Sequence, residues 1–140
     1  MRIIVGLLIL MAFASACSKD SVPEDVQIND FLEENSYTDY IEDLGMIIVI
    51  HEEGEGTAMP NQNSNVRVSY VGYKMNGDVF DSNSDVVFKL SNLIAGWRIG
   101  IPYLKKNGSA TFVIPSNLAY GSASPSNGNP IVFEMTLLDF

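Results

Sequence analysis

Tyr70, Phe80, Asp81, Trp97, Tyr120 and Phe133 are the residues of this chain whose types and spacing could form a site without a nucleophile. The five rings fall where strand alternation or a helical stripe points them inward, toward one shared apolar volume. On pattern alone such rings read first as ordinary core. Two details point further. Asp81 follows Phe80 directly, at the end of a strand beside the rings, and a carboxylate there needs a hydrogen-bonding partner. Tyr120 stands in "LAYG", a loop position from which a phenol can reach a ligand instead of a core partner. Trp97, the only tryptophan, lies in "LIAGWRIG" and serves either as filler or as the floor of a pocket.

Other chemistries are poorly supplied. His51 ends a strand beside Glu52 and Glu53 and reads as a solvated residue. No serine sits in a G-x-S-x-G setting. The glycines of "GEGT" lack the lysine and following helix of a phosphate loop. The carboxylates fall mostly on the N-terminal segment and on loops, where solvation is the default reading. One histidine and one cysteine leave little material for a transition-metal site, and nothing calls for a cofactor. A net charge of -9 repels phosphate backbones and argues against nucleic acid as a partner.

The elements that must position these residues begin after a leader. "MRIIVGLLILMAFASAC" has a basic start, an apolar run from Ile3 to Phe13 and small residues at 14–16, the pattern of a secretory signal over residues 1–16. The run falls short of the ~20 apolar residues a spanning helix needs. "ASAC" resembles the lipobox of bacterial lipoproteins, which makes Cys17 the expected site of lipidation and mature N-terminus. Residues 17–45 read as an acidic tether with one short helix starting at Ser21 or Pro23, its narrow stripe made of Val26, Ile28, Phe31 and Leu32.

From Met46 to Phe140 the pattern is that of strands. "MIIVIHEE", "VRVSYVGYKM", "DVFDS", "DVVFKL", "SATFVIP" and "IVFEMTLLDF" alternate or run apolar between loops. Asn76-Gly77 fits a type I′ hairpin turn, and Asn107 or Gly108 suits a left-handed position. Leu93, Ile94, Trp97 and Ile101 recur at helical spacing, with Pro102 limiting the helix. The expected fold is α+β: an antiparallel sheet of about five strands curled around one short α-helix, with Trp97 facing the concave side. A sugar-binding β-sandwich would lack that helix.

At this point four stretches in register are identifiable. "VRVSYVGYKMNGDVFDSN", "LIAGWRIGI", "ATFVIPSNLAYG" and "IVFEMTLLDF" resemble the FKBP-type peptidyl-prolyl cis-trans isomerases in order and spacing, over roughly residues 46–140. The resemblance implies a five- or six-stranded antiparallel sheet wrapped around a short helix. It implies a pocket in which Tyr70, Phe80, Val86, Leu93, Ile94, Trp97 and Phe133 bind a prolyl substrate, with Trp97 as floor. Asp81 and Tyr120 take the catalytic positions, Asp81 beside the twisting amide. The Ile94 N–H and the Tyr120 hydroxyl would bond substrate carbonyls. Val86 replaces an aromatic of the family, the stretch from Phe88 to Ile94 is about two residues shorter than in some members, and the loop after Tyr120 is short and lacks an Ile-Pro pair. These departures motivate an alternative: a non-catalytic, lipid-anchored chaperone or binding module using the same cleft. The implied partners are proline-containing unfolded or exported proteins. The implied place is the periplasmic side of an outer membrane, held by a lipid anchor, as a monomer.

Overall fold

The computed structural model describes residues 21–140; the expected signal segment and Cys17 lie outside them. A six-stranded, wholly antiparallel sheet forms the frame, in the order β1-β2-β5-β6-β3-β4. Its strands are β1 (Ile41–Asp43), β2 (Met46–Glu52), β3 (Asn65–Lys74), β4 (Val79–Lys89), β5 (Ser109–Ile114) and β6 (Ile131–Asp139). Two helices cover it, α1 (Glu24–Glu34) and the short α2 (Ala95–Gly100).

The concave face holds the main core. Met46, Ile48, Val66, Val68, Tyr70, Phe112, Ile114, Ile131, Phe133, Met135 and Leu137 are buried there around Trp97 of α2. Each strand contributes alternate residues, as the pleat requires. The expectation of one short helix under a curled sheet therefore holds, and a helix-free sandwich is ruled out. The helix itself starts later than its apolar spacing suggests. Leu93 and Ile94 are extended, with ψ of 169° and 154°, and Ile94 caps α2.

The convex face is covered as well. Ile28, Phe31 and Leu32 of α1 pack on Ile47, Val49, Val113 and Val132. This explains why "MIIVI" runs apolar without alternation: both faces of β2 are buried. Pro23 opens α1, with Glu24 and Asp25 in its first turn. The helix ends in a Schellman arrangement, with Ser36 at φ 56° and the Tyr37 and Ser36 amides donating to the Leu32 and Glu33 carbonyls. Beside α1, His51 is not merely solvated. Its Nε2 lies 2.7 Å from the hydroxyl of the fully buried Thr111, which donates to Glu134, and its ring packs 5.7 Å from that of Tyr37.

Two turns depart from the sequence pattern. At Asn76-Gly77 only Gly77 has positive φ, and its N–H donates to the Lys74 carbonyl. This is a type I turn followed by a glycine bulge, a three-residue hairpin loop, and not type I′. The left-handed pair that marks type I′ occurs at Leu44-Gly45, with φ of 50° and 89°, and it joins the unforeseen β1 to β2. Leucine is a poor signal for that conformation, so the edge strand was invisible in the pattern. "DVFDS" and "DVVFKL" form one strand, β4, whose pairing with β3 shifts register near Tyr70 and again near Tyr73. Asn107 takes the left-handed position expected in its turn, with φ 62°.

Candidate active site

The floor is Trp97. Its position in α2 comes from packing, since six residues are too few for an independently stable helix. Tyr70 from β3 stands edge-on to the indole with ring centroids 4.9 Å apart, and Phe133 from β6 does the same at 5.0 Å. Phe88 from β4 closes a further side, 6.0 Å from the indole. Such edge-to-face contacts set ring positions as well as burying area. The indole Nε1 is buried and has no hydrogen-bond partner among the described residues, a cost of the kind tolerated at functional sites.

Above the floor is a cavity of about 220 Å³ lined by Tyr70, Asp81, Phe88, Asn92, Leu93, Ile94, Trp97, Tyr120 and Phe133. Aromatic and aliphatic residues make most of its walls, while polar atoms contribute nearly as much of its surface as apolar ones. The Tyr70 hydroxyl donates to Oδ2 of Asp81 at 2.8 Å and so fixes one side of that carboxylate. The pairing follows from register: Asp81 lies opposite Gly72, placing it diagonally from Tyr70 on the same face. Burial, the hydrogen bond and the charge of Asp81 push the Tyr70 phenol up to about 12. Burial and the same charge also raise the Tyr120 phenol. Both phenols are therefore neutral donors at ordinary pH. Ile94 accepts from the Trp97 and Arg98 amides, while its own N–H has no partner among the described residues.

The structure brings Tyr70, Asp81, Leu93, Ile94, Trp97, Tyr120 and Phe133 together around this cavity, but not Phe80 or Val86. Phe80 stands behind the wall, edge-on to Phe133 at 5.6 Å and to Tyr120 at 6.4 Å, where it buttresses both rings. Val86 lies opposite Val68 and packs against the core. Phe88 and Asn92 were missed. Phe88 was legible, since it shares a face with Val86 two residues away. Asn92 sits in the 3₁₀ turn Leu90–Asn92 and carries no pattern signal.

Known proteins share this frame. A crystal structure of FkpA from Escherichia coli superposes with a TM-score of 0.71 at 28% identity, covering 86% of this chain and 61% of that one. A crystal structure of a peptidyl-prolyl cis-trans isomerase from Pseudomonas syringae pv. tomato gives 0.69 at 26% identity, covering 84% and 96%. In sequence, the probable FKBP-type peptidyl-prolyl cis-trans isomerase FkpA of Neisseria meningitidis serogroup B is 43% identical over 96 residues, which are 64% of this chain and 35% of the relative. FkpA of Escherichia coli strain K12 is 36% identical over 103 residues, 68% of this chain and 37% of that protein. The chain thus spans about two fifths of the length of these curated relatives. The family model for the FKBP-type peptidyl-prolyl cis-trans isomerases matches residues 56–138. Because that stretch takes in every element that frames the cavity, the chain belongs to the FKBP-type peptidyl-prolyl cis-trans isomerase family.

Proposed function

We propose that the chain catalyses cis-trans isomerisation of Xaa-Pro bonds and assists the folding of exported proteins. The observation that carries this reading is the aromatic-walled cavity over Trp97, rimmed by Asp81, Tyr120 and the Ile94 N–H, which has no partner among the described residues. Resonance keeps a peptide bond planar behind a barrier of ~18–20 kcal/mol. Twisting about the C–N bond localises the nitrogen lone pair and weakens the amide dipole. Water solvates the planar form well, whereas an aromatic cavity discriminates less against the twisted one. That difference is the selective stabilisation that catalysis requires. A barrier lowered by ~5 kcal/mol gives an acceleration of roughly 10³–10⁴.

In this scheme Trp97, Ile94, Leu93 and Phe133 enclose the prolyl ring, with Phe88 as a further wall. The Ile94 N–H and the Tyr120 hydroxyl donate to substrate carbonyls. Asp81, held by Tyr70, sets the field around the rotating carbonyl. No bond breaks, so no nucleophile or base is needed.

A protease-coupled assay on an Xaa-Pro peptide tests the reading. The purified chain should accelerate isomerisation, and Tyr120→Phe, which removes one hydrogen bond, should lower kcat/KM about three- to tenfold. No acceleration would leave the cleft as a non-catalytic chaperone or binding surface. The leader and Cys17 support export and a lipid anchor; a monomer on the periplasmic face of an outer membrane completes the proposal. Metabolic labelling with a fatty acid should mark the chain and not Cys17→Ser; equal labelling of both would discard the anchor.

A further inference from the structure

Tyr120 stands on a loop whose shape is set from the opposite face of the sheet. The 3₁₀ turn Ser116–Leu118 precedes it, and Ser116 is the hub. The Ser116 carbonyl accepts from the Ala119 N–H at 3.0 Å and the Gly121 N–H at 2.8 Å, the amides on either side of Tyr120. Ser116 is itself buried, with 8% exposure. Its N–H donates to Oε2 of Glu24 at 2.7 Å, and its hydroxyl donates to Oε1 of the same carboxylate. Both oxygens of one α1 side chain are thus spent on a residue 92 positions away.

The other end of the loop is held from the same helix. Gln27 Nε2, one turn along α1, donates to Oδ1 of Asn129 at 3.0 Å. The Asn129 N–H donates to the Ser126 carbonyl at 2.9 Å, and the Ser126 hydroxyl accepts from the Tyr120 N–H at 3.2 Å. Two hydrogen bonds to a carboxylate are the stronger kind, and their loss would leave two donors of Ser116 buried without a partner. Docking of α1 rests on other residues, Ile28, Phe31 and Leu32, so the clamp and the docking are separable.

We infer that Glu24 is a positioning residue, acting through Ser116 to hold Tyr120 at the rim of the cavity. Its catalytic consequence rests on the isomerase reading above; its geometric consequence does not. Two measurements on the full chain decide it. In Glu24→Ala, amide hydrogen exchange at Ala119 and Gly121 should quicken by about tenfold or more, with Phe112 of β5 unchanged. In the prolyl assay Glu24→Ala should lower kcat/KM by about threefold and by no more than Tyr120→Phe does, Glu24→Gln, which keeps one acceptor oxygen, by less, and Glu24→Ala added to Tyr120→Phe by nothing further. Val49→Ala, which loosens the seat of α1 without touching the clamp, should reduce stability and spare kcat/KM. Unchanged exchange at Ala119 and Gly121 overturns the inference, as does an effect of Glu24→Ala that simply adds to that of Tyr120→Phe. If the unmodified chain shows no turnover, the isomerase reading alone fails, and the exchange result still decides whether Glu24 positions Tyr120.

Discussion

Among single residues Tyr70 joins floor to rim, packing edge-on against Trp97 while donating to Asp81. The sequence demanded a partner for Asp81 but did not name it, because the partner is fixed by a strand register that contains two shifts. The chemistry of the pair has a pH consequence. A phenol held at about 12 in the folded chain, against ~10 when unfolded, binds its proton more tightly when folded. Its contribution to stability is therefore complete below pH ~10 and is lost as the pH rises from there toward 12. Tyr73, Tyr103 and Tyr120 are shifted in the same direction, so Tyr70 must be isolated by difference. Urea denaturation across pH 8 to 12 should show stability falling above pH ~10, with a shallower fall in Tyr70→Phe. Parallel curves for the two proteins would refute the assignment.

Among elements α2 shows what spacing can and cannot convey. The concave placement of Trp97 was legible, but the helical recurrence that suggested it does not hold, since of Leu93, Ile94, Trp97 and Ile101 only Trp97 lies in α2. How closely the helix approaches the sheet was not legible, since it depends on what β5 presents. A Cβ on Gly96 would come within 2.6 Å of two carbons of the Ile114 side chain, and one on Gly100 within 2.8 Å of the Phe112 ring. The two glycines, four apart, form one flat face on which α2 lies against β5. Alanine ordinarily gains ~1 kcal/mol over glycine in a helix. Here Ile114 is fully buried and cannot retreat, and overpacking costs typically ~1–3 kcal/mol. With Ile114 held in place the steric term is the larger, so Gly96→Ala should destabilise the chain by up to about 2 kcal/mol and slow prolyl turnover by tilting the floor. A variant of equal or greater stability would show that the helix has room to rise.

In the molecule as a whole, the convex face decides how much chain the fold needs. A single covering helix was expected, yet "MIIVI" in β2 already carried the opposite message, because a strand apolar on both faces must be covered on both. The residues that answer it lie in the acidic stretch before β2: of the stripe legible there, Ile28, Phe31 and Leu32 are buried against the sheet and Val26 is exposed. Burying a large apolar side chain contributes ~1.5–3 kcal/mol, so Ile28, Phe31 and Leu32 together supply several kcal/mol. That is a large share of the ~5–15 kcal/mol total typical of a domain. The same stretch carries most of the charge: residues 18–45 hold nine acids against one lysine, while 46–140 hold eight acids against six bases. A fragment of residues 46–140 would therefore keep the complete cavity lining yet lose β1 from the edge of β2 together with α1, baring Ile47, Val49, Val113 and Val132 on a nearly neutral body. An exposed apolar patch with little net charge favours association. Light scattering should find that fragment oligomeric or precipitating where the chain with α1 is monodisperse, and urea should unfold it at a much lower midpoint. If it proves monomeric and equally stable, α1 is an accessory to the sheet instead of half of its cover, and the clamp from Glu24 to Ser116 becomes the helix's main contribution.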